Sequence, residues 1–200
     1  FFVLLLLLSA AAIGAFSALD VILFYVFFEA TLIPTYVLIA GWGGARRAYA
    51  ALKFFLFTMA GSVLMWLAML FLYFRPESNN SFDYEAMKTA ANALEAGGGQ
   101  IGLWLFIAFA IAFAIKAPLF PLHTWQPDAY QQSPTAATVM LAAVLSKMGV
   151  YGFLRFAIPF FPESARVAAP ILIVLAIIGI IYGALAAVAQ SDMKRVLAYS

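Results

Sequence analysis

The chain has 200 residues, of which 66% are hydrophobic and only 10% are charged. A soluble domain carries about 25% charged residues, so this composition excludes a water-soluble globular protein. The net charge of +2 and the lack of a basic tract give no indication of nucleic-acid binding. The absence of cysteine excludes disulfides and cysteine-ligated iron–sulfur clusters, and no phosphate-binding GxxxxGK[ST] loop is present.

Six apolar segments follow one another along the chain, without the alternation that is typical of membrane barrel strands. They are residues 1–18, 20–42, 48–74, 101–122, 135–158 and 167–189. At about 1.5 Å per residue, the complete segments are long enough to cross a bilayer as helices. We therefore predict an all-α integral membrane protein. Because the chain opens inside an apolar run and stops just after a charged boundary, we expect it to be an internal piece of a longer protein.

The distribution of basic residues predicts the orientation of the segments. Arg46 and Arg47 follow the second segment, and Lys194 and Arg195 follow the sixth, so a six-pass chain places both pairs on one side. Basic loops favour the cytoplasm, and we assign that side to it. Residues 75–100 fall on the opposite side, where residues 83–96 are expected to form a short surface helix.

Ionisable residues inside apolar segments are the strongest functional signal. Glu29 lies about ten residues into the second segment, and Lys147 lies near the centre of the fifth. A charge at such depth costs at least ~2.5–3.5 kcal/mol, so these groups should face the bundle interior, water or each other. A structural ion pair between two helices is the alternative. Lys53 is only a few residues inside its segment, where snorkelling to the membrane surface explains it.

The run IKAPLFPLHTW predicts a broken helix near residues 116–123. Pro118 and Pro121 remove backbone donors, which leaves Lys116 at the C-terminal end of a half-helix, where the helix dipole favours a cation. Transporters use such breaks as ion sites, but a simple helix end with a snorkelling lysine fits the spacing equally well. His123 follows the break; a proton relay is possible for histidine, although a structural role is more common.

Three stretches resemble a known family. DVILFYVFFEATLIPTYVLIAGWGG with RRAYAALKFFLFTMAGSVLM is similar to the M chains of proton-pumping NADH:quinone oxidoreductase, respiratory complex I. So are the long run AFAIKAPLFPLHTWQPDAYQQSPTAATVMLAAVLSKMGVYGFLRF and the final QSDMKRVLAYS. The resemblance implies an antiporter-like bundle of two inverted five-helix repeats. Residues 1–158 would form most or all of the first repeat, and residues 159–200 would begin the second.

The resemblance also implies a role for individual residues. Glu29 matches a glutamate that pairs with a lysine on the broken helix, and Lys116 matches that lysine. Lys147 matches a central lysine that passes protons onward, and His123 matches a histidine of the connecting hydrophilic axis. Tyr130 stands where the family usually has a second histidine. A free phenol loses its proton only near pH ~10, so a histidine-type relay is in doubt there, although Tyr130 could still order water.

The resemblance therefore implies a proton-translocating subunit that is driven by redox chemistry elsewhere in a larger assembly. We expect no cofactor and no metal in this chain; flavin, iron–sulfur clusters and quinone would belong to other subunits. Its partners would be other membrane subunits of complex I and the lipid bilayer of a bacterial inner membrane, and not nucleic acid. Two alternatives stay open, namely a subunit of a multisubunit sodium/proton antiporter and a membrane anchor that transports nothing.

Overall fold

A computed structural model describes all residues from 1 to 200 and is helical, with one isolated β-bridge between Asp20 and Asp83. The helices in chain order are α1 (Phe2–Ser17), α2 (Val21–Ala30), α3 (Leu32–Trp42), α4 (Arg47–Tyr73), α5 (Tyr84–Ala96), α6 (Ile101–Lys116), α7 (Gln126–Gln132), α8 (Thr135–Phe160), α9 (Pro162–Val188) and α10 (Met193–Tyr199). The predicted all-α class is therefore confirmed.

Four membrane-length spans and two shorter apolar helices correspond to the six predicted segments. The spans are α2 with α3, which together cover 22 residues, and α4, α8 and α9 with 27, 26 and 27 residues. The shorter apolar helices, α1 and α6, have 16 residues each. The sixth segment begins at Pro162 and not at residue 167, because proline is well suited to the first turn of a helix.

The second span is interrupted near its centre, between α2 and α3. Pro34 has no N–H to donate to the carbonyl group of Ala30, so one backbone hydrogen bond of the helix is missing there. The hydroxyl of Thr31 donates to Phe28 O at 2.8 Å, and that of Thr35 donates to Thr31 O at 2.7 Å. The interruption lies at Thr31, a fully buried polar residue two positions after Glu29 in the same span.

Aromatic side chains fill the space between α2, α6 and α8. The rings of Phe24 and Phe156 lie 4.4 Å apart, and those of Phe28 and Phe113 lie 6.0 Å apart. Gly149 allows α8 to reach the end of α6, because a Cβ atom there would lie only 2.5 Å from the backbone nitrogen of Ala117. The core therefore brings the helix that carries Lys147 directly against the end of α6.

Three loops meet at one end of the bundle. The backbone N–H of Gly44 donates to Gln132 O at 2.8 Å, and that of Arg46 donates to Gln132 Oε1 at 3.0 Å. The ammonium group of Lys194 donates to Ser133 O at 2.7 Å. The prediction that Arg46-Arg47 and Lys194-Arg195 lie on the same side is confirmed by these contacts.

Helix α5 crosses the opposite end of the bundle, close to the predicted bounds of 83–96. The carboxylate of Glu95 accepts hydrogen bonds from the backbone N–H groups of Glu163 and Ser164, at 2.9 and 2.8 Å, and so caps the start of α9. At the other end of α5, Phe82 O accepts from Val21 N at 3.0 Å. The helix is thereby fastened to two spans.

Candidate functional site

The site is built around the gap between α6 and α7. Helix α6 ends at Lys116 and α7 begins at Gln126, so the discontinuous helix predicted near residues 116–123 is confirmed, with a connector of residues 117–125. Two backbone bonds close the end of α6, from Ala117 N to Phe113 O and from Leu119 N to Ala114 O. The indole N–H of Trp125 donates to Ile115 O at 2.9 Å and satisfies a third carbonyl group.

Lys116 is the last residue of α6, and only 3% of it is exposed. Its ammonium group donates to the hydroxyl of Thr31 at 3.0 Å and to Phe28 O at 3.4 Å. It also lies 4.4 Å from the centre of the Phe28 ring, within the range of a cation–π contact. The cation at the helix break therefore meets the interruption in the second span, and it does not snorkel to the membrane surface.

Glu29 is half-buried and follows Phe28, whose carbonyl group binds Lys116. The carboxylate of Glu29 and the ammonium group of Lys116 attract one another electrostatically, but they do not approach within the 4.0 Å of an ion pair. The direct pair that the resemblance implied is absent from this arrangement. Lys116 is held by a hydroxyl and a carbonyl group instead, so the structural ion-pair explanation does not account for its burial.

A cavity of about 840 Å³ adjoins the connector, and residues 117–120 of the connector form part of its wall. His123, Tyr130 and Lys147 line it together, along with Gln126 and Ser146. Three of the predicted site residues therefore share one space, whereas Glu29 and Lys116 do not line it. The cavity reaches Ala117, the residue next to Lys116, so the two groups of residues are neighbours through the end of α6.

Lys147 faces this cavity from the middle of α8, between two π-helical segments, Leu141–Leu145 and Phe153–Ala157. Such widened turns occur often at functional sites. The ammonium group of Lys147 donates to Ala142 O at 2.5 Å, and the Ser146 hydroxyl donates to the same carbonyl oxygen at 3.0 Å. One of the three ammonium protons is therefore used within α8, and the others remain available in the cavity.

His123 lies among aromatic rings in the cavity wall. Its ring centre is 5.6 Å from that of Phe120, 5.2 Å from that of Tyr182 and 6.4 Å from that of Tyr199. The imidazole makes no hydrogen bond to another protein group. Its nitrogens are thus free for small polar ligands in the cavity.

Lys53 extends to the end of the bundle where Arg46 and Arg195 lie, and there it meets a carboxylate that the sequence did not indicate. Its ammonium group donates to Oδ2 of Asp128 at 2.7 Å, with about a fifth of the lysine side chain exposed. The other oxygen of Asp128 lies 3.5 Å from Arg195 and 3.9 Å from Arg46. The carboxylate of Asp128 on α7 therefore forms ion pairs with three cations from three separate parts of the chain. The sequence analysis overlooked Asp128, whose only signal was an acidic residue directly after the break.

The start of α10, which carries Arg195, is fixed by a second carboxylate. Asp192 Oδ1 accepts from the backbone N–H groups of Lys194 and Arg195, at 2.8 and 3.2 Å. These hydrogen bonds, first that of Arg195, hold the pKa of the Asp192 carboxyl below its ordinary value. The cap keeps α10 in place beside α7.

Membrane-length helices, an interrupted helix that ends in a buried lysine, and a cavity that holds a second lysine together define an antiporter-like membrane subunit. The sequence profile of the family described as "NADH:quinone oxidoreductase/Mrp antiporter, TM" matches residues 18–200. The chain belongs to this family.

Named relatives and solved structures agree with this assignment. The chain is 48% identical, over 98% of its length, to NADH-quinone oxidoreductase subunit M of Rhodobacter capsulatus, and covers 39% of that protein. It superposes on a chain of respiratory complex I from Thermus thermophilus with a TM-score of 0.86 at 39% identity, covering 98% of itself and 41% of that chain. A chain of the archaeal membrane-bound sulfane sulfur reductase gives 0.84 at 29% identity, with coverages of 98% and 39%. The 200 residues thus span about two-fifths of each of these proteins.

Proposed function

We propose that this chain is part of the proton-translocating M subunit of an NADH:quinone oxidoreductase. The observation that carries the proposal is a lysine, Lys116, held without a carboxylate partner at the end of a broken helix at membrane depth. A charge in this setting is expensive and is kept in membrane proteins mainly along ion pathways. The similarity to NADH-quinone oxidoreductase subunit M, over 98% of the chain, supports the same assignment.

The mechanism that fits these contacts is electrostatic control of proton transfer. Lys116 uses two of its three ammonium protons on Thr31 and Phe28, and the third can be given to water. If Glu29 approached Lys116 to about 4 Å, the attraction would be about 4 kcal/mol at an effective dielectric constant of about 20. Contact would therefore hold the proton on Lys116. Separation, as in the present arrangement, would favour its release toward the cavity and Lys147.

The decisive test replaces Lys116. In the complete enzyme, Lys116→Ala should abolish most NADH-driven proton transport in vesicles while assembly on native gels stays normal. Lys116→Arg should also transport poorly, because arginine stays protonated and cannot hand its proton on. If the arginine enzyme transports protons at the wild-type rate, Lys116 is a structural cation and the proposal is wrong.

A sodium/proton antiporter subunit is the second candidate, and the description of the matching family includes such antiporters. The two candidates differ in what drives transport. Sodium-driven proton movement in vesicles without NADH would favour the antiporter, whereas strict dependence on NADH oxidation would favour the oxidoreductase. A passive membrane anchor would tolerate neutral replacement of Glu29, Lys116 and Lys147 without loss of transport.

The proposal assigns chemistry to the subunits as follows. The redox cofactors belong to other subunits, and this chain contributes only a proton path made of Glu29, Lys116, His123 and Lys147, with support from Tyr130. Lys53 is reassigned to holding α7 through Asp128. The partners are other membrane subunits of the complex and the lipids around them, in a bacterial inner membrane with the Arg46 end of the bundle toward the cytoplasm.

A further inference from the structure

The ammonium group of Lys116 is held by two acceptors that belong to a single turn of the second span. The hydroxyl oxygen of Thr31 lies 3.0 Å from Lys116 Nζ, and the carbonyl oxygen of Phe28 lies 3.4 Å from it. This is the turn at which α2 ends and α3 begins. Thr31 is fully buried, so its hydroxyl depends on protein groups for its hydrogen bonds.

The contacts of Thr31 make its hydroxyl an acceptor for lysine. The single hydroxyl proton is donated to Phe28 O at 2.8 Å. The lone pairs of the oxygen can therefore only accept, and Lys116 is the donor that reaches them. An ionised carboxylate has no proton to donate and cannot take the place of the lysine. The hydroxyl of Thr31 is thus suited to Lys116 and not to Glu29.

The number of acceptors matches the neutral amine form of Lys116. The ammonium form has three N–H groups to donate, whereas the amine has two N–H groups and a lone pair. Thr31 and Phe28 O together satisfy both N–H groups of the amine. When the third proton passes to a water molecule, the nitrogen loses its charge and keeps both hydrogen bonds. Lys116 can therefore release a proton in place, without leaving a buried N–H unpaired.

We propose that Thr31 is a positioning residue for proton release, whose hydroxyl holds Lys116 apart from Glu29 and is one of the two acceptors that the amine form needs. The opposite charges of Glu29 and Lys116 attract one another, so the hydroxyl competes with the carboxylate for the ammonium group. Without the hydroxyl, Lys116 should turn toward Glu29 and keep its proton. The effect on transport rests on the proposed function, but the position of Lys116 does not.

Three replacements of Thr31 in the complete, assembled enzyme separate hydrogen bonding from packing. Thr31→Ser keeps the hydroxyl, Thr31→Val keeps the shape without the hydroxyl, and Thr31→Cys offers only a weak sulfur acceptor. NADH-driven proton transport should fall in the order serine, cysteine, valine, and Thr31→Val should be lowered about five- to tenfold, the factor expected for one lost hydrogen bond. If Thr31 only fills space, valine should transport best, because it has the shape of threonine. That reversed order, or equal transport in all three variants, would overturn the proposal.

Thr58→Val is the matched control. Thr58 lies in α4, is 5% exposed and, like Thr31, donates its hydroxyl proton to a carbonyl group of its own helix, Phe54 O at 2.7 Å. Its hydroxyl makes no hydrogen bond to Lys116. The control enzyme should therefore keep near wild-type transport. A loss as large as that of Thr31→Val would overturn the proposal, because the effect would then follow from removing any buried hydroxyl.

The position of Lys116 is measured without using activity, in cryo-electron microscopy maps of the assembled enzyme in the absence of NADH. In the wild-type map, Lys116 Nζ should lie within hydrogen-bond distance of Thr31 Oγ1. In the Thr31→Val map, it should lie within about 4 Å of the Glu29 carboxylate. A Thr31→Val map in which Lys116 stays apart from Glu29 would overturn the proposal. The expected shift together with full transport in Lys116→Ala would instead overturn the proposed function and leave the positioning by Thr31 standing.

Discussion

Replacing Asp128 with asparagine should loosen the second half of the broken helix. Asp128→Asn keeps the shape of the side chain and removes the charge on which Lys53, Arg195 and Arg46 converge, at 2.7, 3.5 and 3.9 Å. Asparagine can accept a hydrogen bond from Lys53, but it leaves three cations without a counter-charge. We therefore expect α7 to separate more readily from α4 and α10.

The three contacts contribute unequally. The Lys53 contact is short and partly buried, and a hydrogen bond between charged groups of this kind is worth about 1.5–3 kcal/mol. Arg195 and Arg46 are more exposed and more distant, so each adds about 0–1 kcal/mol after solvent screening. The expected total loss is about 1.5–5 kcal/mol. Lys53→Met should cost less than Asp128→Asn, because it leaves Asp128 paired with two arginines.

The assay is the temperature at which half of the assembled enzyme dissociates on native gels, compared for Asp128→Asn, Lys53→Met and the double variant. Of the two single variants, Asp128→Asn should dissociate at the lower temperature. The dissociation temperature of the double variant should fall by less than the sum of the two single decreases. Glu163→Gln is the matched control, because Glu163 forms an exposed ion pair with Arg166 at 3.2 Å. An Asp128→Asn enzyme that is as stable as this control would refute the reasoning.

Three further predictions concern other parts of the bundle. Glu29→Gln should sharply reduce NADH-driven proton transport in a fully assembled enzyme, whereas Glu29→Asp should keep part of it; normal transport in the glutamine variant would remove Glu29 from the mechanism. Glu95→Ala removes the cap of α9 and should destabilise the protein by about 0.5–2 kcal/mol, seen as faster proteolysis of the loop around α5, with Glu95→Gln milder. Gly149→Leu should prevent α8 from reaching α6 and abolish assembly on native gels, while Lys147→Ala should assemble normally and lose transport; equal assembly of the two variants would contradict the packing argument.

The sequence predicted those features that depend on neighbouring residues. Apolar runs located the six segments, and Pro118 with Pro121 located the break, because proline acts on the backbone of its own turn. Asp20, the residue directly before α2, caps it in the same local way, with its carboxylate accepting from the N–H groups of Ile22 and Leu23 at 2.9 and 3.1 Å. Such local effects are readable without knowing the fold.

Contacts between distant parts of the chain could not be predicted in this way. Lys53 and Asp128 are 75 residues apart in sequence, and nothing in either local pattern indicates the other. The same holds for Lys116 and Thr31, which are 85 residues apart. Family resemblance indicated Glu29 as the partner of Lys116, and the two do attract one another, but the hydrogen bonds of the ammonium group to Thr31 and Phe28 O were not predicted.

The fastening of α5 has a mechanical consequence. Glu95 and Phe82 tie one end of the bundle across two spans, and Asp128 ties three elements together at the other end. A helix bundle that is held at both ends deforms most easily where the backbone hydrogen bonding of its helices is interrupted. In this chain those places are the break in hydrogen bonding at Pro34 and the connector after Lys116, which lie between the two fastened ends. A strain imposed by neighbouring subunits would therefore be concentrated at mid-depth, on the two elements between which Lys116 is held.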